Sequence, residues 1–496
     1  MRKWRRAVGV AVLAVACRDA SVTDPGDPPP IPPAAAEPTL TREFRGLWIA
    51  TVANIDFPTA PALPVAQQRA ELLALLDLAQ SLKLTAVILQ VRAAGDALYP
   101  SPHEPWMASL GGAQGTDPGW DPLAVAVTEA HARGLELHAW FNPFRAGNAS
   151  DTLRLHALHL ARRRPDLARV VRGSLWFDPG ESAVHDHSLT VVRDVLTRYD
   201  VDAVHIDDFF YPYPTTGTPV PVPFPDSATY ARYAATTSTP LALGDWRRDN
   251  VNRFVQRLYQ EVHAIKPHVK VGVSPFGIWR PGNPGGITGL DAWRDIYADS
   301  RHWLQQGWVD YIAPQLYWSI ASTGQSFPLL NTWWQAQNLA GRHVWPGLAA
   351  YRVADGTSSA YLADEIINQI SVLRTNAAAP GFLLYNATSL RRDRGGLTTF
   401  LKAGPTRGDA VSPSYPWLDP LPPDAPTITV DATTIRVTAG SGEAPAWWVV
   451  HSYDGVAWTQ RVRPAAVTSF ERNGSRQVRV RAADRAFNLS TAARWP

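Results

Sequence analysis

Two consecutive aspartates end a strongly apolar run at Val201-Asp-Ala-Val-His-Ile-Asp-Asp208. Alternation along a β-strand predicts that His205 and Asp207 share one face, with Asp208 at the tip of the strand. Carboxylates and an imidazole are costly to bury, so their position indicates a functional site; a helix cap or an ion pair with arginine is the structural alternative. Hydrolysis of a glycosidic bond requires such carboxyl groups, one protonated as an acid and one ionised as a nucleophile or base.

A second acid is expected to reach the same cleft, because both carboxyl groups must contact the reacting bond. Glu104 is the leading candidate for the general acid, since prolines flank it and His103 and Trp106 lie nearby in the sequence. Such surroundings are able to raise the pKa of a carboxyl group. Asp96 is a competing candidate, and a solvated loop position is the structural alternative for Glu104. The predicted catalytic set is Glu104, Asp207 and Asp208.

Other polar and aromatic residues follow predicted strands at the same end. Aromatic rings stack on the apolar faces of sugar rings, and amide or guanidinium groups bind hydroxyl groups, so this clustering favours a polysaccharide cleft. The predicted substrate-binding residues are Arg92, Asp96, Trp106, Trp140, Asn142, His205, Tyr211, Gln315, Tyr317, Trp318 and Asn386.

Metal binding is the main alternative chemistry, because His185, His187, His205 and Asp207 offer nitrogen and oxygen ligands. His185 and His187 fall at the start of a predicted helix and away from a strand end, so we predict no metal. The sequence has neither the G-x-S-x-G elbow of a serine nucleophile nor a glycine-rich phosphate loop. We therefore expect no cofactor.

Strand-like and helix-like segments alternate from Arg42 onward. The candidate strands are Gly46–Val52, Ala86–Arg92, Leu135–Asn142, Ala203–Asp208, Val269–Pro275, Tyr311–Trp318, His343–Ala349 and Gly381–Asn386. The candidate helices are Val65–Lys83, Pro122–Arg133, Ser182–Tyr199, Leu243–Lys266, Asp291–Gln306, Phe327–Leu339 and Ser359–Arg374. Eight strands separated by helices predict an α/β chain with a (β/α)8 barrel, whose strand ends carry the active site. A doubly wound open sheet is the alternative, but the first strand lacks the glycine-rich loop typical of that fold.

The chain of 496 residues has only 1 cysteine, 20 tryptophans and a net charge of +3. These values exclude a disulfide framework and give no indication of nucleic acid as a partner. The first residues are basic, a short apolar run follows them, and Cys17 comes directly after that run. This arrangement resembles a lipoprotein signal; a plain signal peptide is the alternative. We therefore expect an exported protein, attached to a membrane of the bacterial cell envelope by a lipid on Cys17. The oligomeric state is left open.

Prolines and turn signals suggest where the remaining segments begin and end. The segment Val478–Ser490 resembles the final strands of a fibronectin type III domain, and short β-prone runs precede it. The predicted organisation is a signal peptide at 1–17, a proline-rich tether at 18–39, the barrel at 40–405, a proline-rich linker at 406–425 and a small all-β sandwich at 426–496.

Several sequence blocks occur together along the barrel. They are Glu43-Phe-Arg-Gly-Leu-Trp-Ile-Ala50, Gln90-Val-Arg-Ala-Ala-Gly-Asp-Ala-Leu-Tyr99 with Glu104-Pro-Trp106, His138-Ala-Trp-Phe-Asn-Pro143, His205-Ile-Asp-Asp-Phe-Phe-Tyr-Pro212, Val273-Ser-Pro-Phe-Gly277 and Ala313-Pro-Gln-Leu-Tyr-Trp318. In combination they resemble the glycosyl hydrolase-like 10 family, from about Leu40 to Lys402. The resemblance implies a (β/α)8 fold and glycosidase activity, with peptidoglycan glycan strands as a substrate for some members. Within the motifs, Glu104, Asp207 and Asp208 are the matching acids.

These observations predict a glycoside hydrolase that acts on a polysaccharide by carboxylate acid and base catalysis. The alternative is a glycan-binding lipoprotein of the cell envelope that uses the same cleft without catalysis.

Overall fold

The runs predicted as strands form one curled parallel sheet in the computed structural model, which describes residues 37–215 and 220–496. The signal peptide, Cys17 and nearly all of the tether lie outside the described residues. Each of the eight predicted strands falls on this sheet, and we number the strands in chain order. They are Phe44–Ile49, Ala86–Arg92, Glu136–Phe141, Ala203–Ile206, Lys270–Val273, Tyr311–Ile312, the seventh in two segments (His343–Val344 and Gly347–Leu348), and Gly381–Leu384.

The two segments of the seventh strand lie at opposite ends of the sheet order. Only Trp345 and Pro346 separate them in the chain. The amide of Trp345 donates to the carbonyl of Ile312 on the sixth strand, at 2.9 Å. The carbonyl of Pro346 accepts from the amide of Leu383 on the eighth strand, at 3.1 Å. The sheet therefore curls round until its two ends are successive segments of chain.

Helices lie between consecutive strands and after the last one. Those that follow the eight strands are Val65–Ser81, Pro122–Ala132, Ser182–Arg198, Leu243–Ile265, Ser300–Gln306, Phe327–Ala336, Ala363–Asn376 and Leu397–Ala403. The additional short helices are Ala108–Gly111, Leu160–Arg163, Ser227–Ala234, Ala292–Asp295 and Ala387–Arg391. The helix predicted over Asp291–Gln306 is divided, because Tyr297 has a positive φ of 56° that no helix continues through.

Side chains alternate between two buried layers, because successive residues of a strand point to opposite faces. On the first strand, Leu47 and Ile49 pack beneath the helices, whereas Phe44 and Trp48 belong to a cluster inside the curled sheet. The inner layer also carries polar groups. The Tyr311 hydroxyl lies 2.9 Å from Nδ1 of His138 and 2.9 Å from Nδ1 of His205. The interior is therefore filled and partly hydrogen-bonded.

A small antiparallel sheet follows the third strand. Its strands are Arg145–Asn148, Ala168–Val171 and Ser174–Phe177, with the last of these in the middle. None of the helices within the described part of the chain is both long and apolar enough to cross a bilayer.

The C-terminal region consists of two antiparallel sheets with a shared apolar core. One sheet contains Thr427–Val430, Thr434–Thr438 and Ser469–Glu471; the other contains Trp458–Pro464, Trp447–Tyr453, Gln477–Ala483 and Ala493–Trp495. Residues Ile435, Val450 and Val480 are among those that fill the space between them. We call this region the C-terminal sandwich.

The C-terminal sandwich packs on the end of the curled sheet where the strands begin. Lys270, the first residue of the fifth strand, donates to Glu136 at 2.6 Å and to the carbonyl of Arg485 at 2.7 Å. The segment predicted as a linker is packed in the same place: Tyr415 is buried, and the Trp417 indole donates to Asp310 at 2.7 Å. Leu40–Pro496 accordingly form one compact unit.

Phe487 provides a test of this packing, because its ring stacks on Trp447 at 4.5 Å and is 3% exposed. We expect Phe487→Ala to lower the free energy of unfolding by about 3 kcal/mol, as is usual for a buried phenylalanine. Urea denaturation followed by tryptophan fluorescence measures this change. Val456→Ala is the control, since Val456 is 89% exposed in the same sandwich and its truncation should cost less than about 0.5 kcal/mol. Equal effects of the two substitutions would contradict the packing role of Phe487.

Candidate active site

A cleft of about 460 Å³ opens at the end of the curled sheet where the strands finish. It is lined by residues that follow several different strands, as expected for a site at this face of such a sheet. The lining residues are Trp48, Val52, Ile55, Gln90, Trp140, Arg145, Asp207, Asp208, Phe209, Tyr213, Ser274, Phe276, Gln315, Tyr317 and Tyr385. Among these described residues, Asp207 and Asp208 are the only acids.

Asp207 continues the inward-facing side of the fourth strand beyond His205. Its Oδ2 accepts a hydrogen bond from the indole of Trp140 at 3.2 Å, and its Oδ1 accepts from the amide of Phe209 at 3.4 Å. Burial, together with the neighbouring Asp208, raises the pKa of Asp207 to about 8. Asp207 is therefore the carboxyl group of the pair that more strongly favours its protonated form.

Asp208 lies one residue further along, where the chain leaves the strand. The hydroxyl of Tyr213 donates to its Oδ2, and Gln315 also hydrogen-bonds to the carboxylate. Burial raises the pKa of Asp208 to about 6, while these hydrogen bonds favour the ionised form and limit the rise. The surroundings thus favour a proton on Asp207 and an ionised Asp208, the combination that general acid and base catalysis requires.

Aromatic side chains form much of the wall of the cleft. Tyr317 and Tyr385 lie nearly parallel, with ring centroids 6.1 Å apart and planes inclined by 15°. Trp48 meets Tyr385 edge to face at 6.2 Å. Tyr213 packs against Phe276 at 6.1 Å. Flat apolar surfaces beside a pair of carboxyl groups suit the binding of sugar rings.

His205 lies beneath the floor of the cleft and is fully buried. Its Nε2 accepts from the indole of Trp48 at 3.2 Å and lies 3.0 Å from the hydroxyl of Ser274. Both of those residues line the cleft, and Gln315 donates to the backbone carbonyl of Ser274 at 3.0 Å. The predicted substrate contact at His205 is therefore corrected: the imidazole supports residues that line the cleft.

Glu104 is not among the described residues that line the cleft. Its carboxylate forms a bidentate ion pair with Arg92, with Nε–Oε2 and Nη2–Oε1 distances of 2.7 and 2.6 Å, and His187 approaches Oε1 at 2.8 Å. Although burial opposes ionisation, Arg92 and His187 lower the pKa of Glu104 to about 2. The predicted rise of the Glu104 pKa is corrected, because its partners keep this carboxylate ionised; the geometry favours a structural role over the predicted role as general acid, which stays a prediction. Arg92 is likewise an internal partner rather than a substrate contact.

The remaining predicted substrate contacts divide into residues that line the cleft or its neighbourhood and residues that lie away from it. Trp140, Gln315 and Tyr317 line the cleft. Trp318 lines a neighbouring groove and packs edge to face on Phe276 at 5.5 Å.

Five other predicted contacts are not among the described residues that line the cleft. Trp106 packs on the apolar core, and the side chains of the other four have partners within the protein. Asp96 accepts from the amides of Ala93 and Ala94, and Asn142 accepts from Gln90. Tyr211 is buried against Phe224 and Tyr297, and Asn386 caps the helix Ala387–Arg391.

Sequence analysis missed several residues of the cleft, of which the largest are Trp48, Phe209, Tyr213, Phe276 and Tyr385. For Trp48 a signal was present, since the alternation of the first strand places it on the inner face. Tyr213 follows Pro212 in a loop, where no periodicity indicates which of two nearby tyrosines faces the acids.

The histidines considered as metal ligands have other partners. Nε2 of His185 lies 2.8 Å from the carbonyl of Pro179, and His187 contacts Glu104. The described residues contain one group of three acids close enough to share an ion, Asp419, Glu443 and Asp484. That group belongs to the C-terminal part of the chain and does not line the cleft.

Comparison with known proteins connects this site with a family. A family model described as "Glycosyl hydrolase-like 10" matches residues 43–361. Glycosyl hydrolase YngK of Bacillus subtilis (strain 168) is 38% identical over 406 residues, covering 80% of this chain and 78% of that protein. Glycosyl hydrolase DigH of Escherichia coli (strain K12) is 33% identical over 374 residues, covering 70% of this chain and 82% of that protein.

A solved structure shares the fold. The glycoside hydrolase domain of PgaB (BpsB) from Bordetella bronchiseptica aligns with a TM-score of 0.51 and 13% identity, covering 73% of this chain and 98% of that one. The family model spans more than half of the sequence and includes both cleft aspartates. The chain therefore belongs to the glycosyl hydrolase-like 10 family.

Proposed function

We propose that the protein is a glycoside hydrolase that cleaves O-glycosidic bonds of a polysaccharide, with peptidoglycan glycan strands as the candidate substrate. The observation that carries this proposal is the pair Asp207 and Asp208, which are adjacent, buried and differently hydrogen-bonded in an aromatic cleft. Membership of the glycosyl hydrolase-like 10 family supports the same reaction class.

In the proposed reaction, Asp207 is the general acid and donates its proton to the glycosidic oxygen as the bond to the sugar breaks. Asp208 is the second catalytic group and reacts in its ionised form. It either attacks the anomeric carbon as a nucleophile or removes a proton from the attacking water. The tyrosine and glutamine that hold Asp208 keep its carboxylate in place, and the aromatic walls bind the sugar rings on either side.

The proposal extends to the architecture and location of the protein. We propose a complete (β/α)8 barrel, supported by the hydrogen bonds at both segments of the seventh strand. The C-terminal sandwich has three strands in one sheet and four in the other. We propose that it is a fibronectin type III-like module. Export and lipid attachment at Cys17 are proposed from the sequence of the first residues.

Replacement of either cleft aspartate tests the proposed reaction. We expect Asp207→Asn and Asp208→Asn each to lower kcat/KM by about a hundredfold or more, because each removes a group that transfers a proton or attacks the substrate. Release of reducing sugar from peptide-free peptidoglycan strands and from a panel of other polysaccharides measures this. Asp166→Asn, an exposed aspartate on the surface, is the control and should retain wild-type rates. Glycan binding by the wild type without product from any polysaccharide would favour the non-catalytic alternative.

The pH dependence of kcat/KM tests the assignment of the two roles. Activity should rise as Asp208 ionises around pH 6 and fall as Asp207 loses its proton around pH 8. In Tyr213→Phe the hydroxyl that stabilises the ionised Asp208 is lost, so the acid limb should move to higher pH. Tyr453→Phe in the C-terminal sandwich is the control. An acid limb that does not move in Tyr213→Phe would refute the role given to Asp208.

The ion pair between Glu104 and Arg92 should make the free energy of unfolding depend on pH. The folded pKa of about 2 lies below the ordinary value of 4.5, so the stabilisation is complete above about pH 4.5 and is lost as the pH falls toward 2. Glu104→Gln leaves the buried Arg92 without an ionised partner and should lower the free energy of unfolding at pH 7 by about 3–5 kcal/mol. Denaturation curves between pH 7 and pH 2.5 compare the variant with the wild type. A difference that stays constant across this range would contradict the assignment.

A further inference from the structure

Arg145 is the one cation among the described residues that line the cleft. Within the parts of the chain that the structure describes, its side chain makes no hydrogen bond and no ion pair. Other arginines in protected positions have carboxylate partners: Arg92 pairs with Glu104, and Arg247 pairs with Asp226. A guanidinium that lines a substrate cleft without such a partner is available to an anionic ligand.

The backbone of Arg145 is held firmly. Arg145 begins the strand Arg145–Asn148 and lies opposite Trp176 on the neighbouring strand. The indole of Trp176 donates to the carbonyl of Phe210 at 3.0 Å, which fastens this small sheet to the loop that carries the cleft aspartates. The position of Arg145 relative to Asp207 and Asp208 is therefore determined by the fold.

The guanidinium of Arg145 stacks on Phe209, with 4.8 Å between its central carbon and the ring centroid. Stacking occupies the flat face of the group and leaves the N–H donors along its edge free to form hydrogen bonds. The edge of a guanidinium matches a carboxylate, which it binds through two parallel hydrogen bonds. The aromatic ring thus orients the cation without using its donors.

We infer that Arg145 binds a carboxylate on a sugar of the substrate, so that the cleft selects acidic glycans over neutral glycans of the same backbone. This inference rests on the proposed function and specifies its substrate class. In peptide-free peptidoglycan strands, the lactyl ether of the muramic acid residues carries such a carboxylate. Chitin oligosaccharides have the same N-acetylated β-1,4-linked backbone without it.

A purely electrostatic role for Arg145 makes a different prediction. Its positive charge favours the ionised forms of Asp207 and Asp208 and so lowers the pKa of both. If that were its whole contribution, a substitution would change the rate on acidic and neutral substrates by the same factor. The ratio of the two rates therefore separates recognition of the substrate from an effect on the acids.

The experiment compares peptide-free peptidoglycan strands with the same strands after chemical reduction of their carboxyl groups to alcohols, and with chitin oligosaccharides. In the wild type, kcat/KM should be higher for the acidic strands. In Arg145→Gln the ratio of kcat/KM on acidic to reduced strands should fall by about tenfold or more, as expected for loss of a hydrogen-bonded charge pair. Arg145→Lys, which keeps the charge but not the paired donors, should retain part of the ratio. Arg154→Gln is the matched control, because Arg154 is an exposed arginine that does not line the cleft.

The outcomes separate the inference from the function on which it rests. An unchanged ratio in Arg145→Gln, with all three substrates cleaved, would overturn the inference and leave the hydrolase proposal intact. Failure of the wild type to cleave any glycan would instead overturn the proposed function. Binding titrations with Asp208→Asn provide a second measurement, since affinity for acidic strands should exceed affinity for reduced strands and should lose that excess when Arg145→Gln is added.

Discussion

Two neighbouring carboxyl groups removed from water, Asp207 and Asp208, impose the condition that the rest of the cleft must meet. Ionising both would place like charges side by side in a medium that screens them poorly, so one of them keeps its proton. The surroundings decide which one does. Asp208 receives donors from Tyr213 and Gln315, whereas Asp207 has the weaker indole contact from Trp140. The difference between an acid and a base arises here from hydrogen-bond partners and not from residue type.

Two other buried carboxyl groups avoid this conflict because each is paired with a cation. Glu104 is as deeply buried as the cleft aspartates, yet Arg92 keeps it ionised. Glu136 is buried near the other end of the curled sheet and is paired with Lys270. These carboxylates have a cation within ion-pair distance, whereas no cation of the described residues lies that close to the cleft aspartates. Buried acids elsewhere are held by a cation, as Glu104 is, or by backbone amides, as Asp96 is, whereas the cleft pair consists of two adjacent acids that line a cavity.

Much of the fold could be predicted from the sequence, because the parallel strands are buried on both faces and read as continuous apolar runs. Alternation along the fourth strand was enough to place Asp207 on the inner face, next to Asp208. The pairing of Glu104 with Arg92 could not be predicted in this way. The pairing depends on the path of the loop after the second strand, which brings Glu104 back to Arg92 at the end of that strand. Periodicity in the sequence carries no information about the paths of loops. Tyr211 and Tyr213 show the same limit, since proline and loop geometry, rather than spacing, turn the second of them toward the acids.

Lys270 joins the inner layer of the sheet to the carbonyl of Arg485, close to the end of the chain. The lower opening of the sheet is therefore covered by residues that follow every strand of the sheet in the chain. Until Phe487 has been made, Lys270 lacks the carbonyl of Arg485 and Trp447 lacks the ring that stacks on it. In a chain made from its N-terminus, this end of the sheet is thus closed only after most of the C-terminal sandwich has been made.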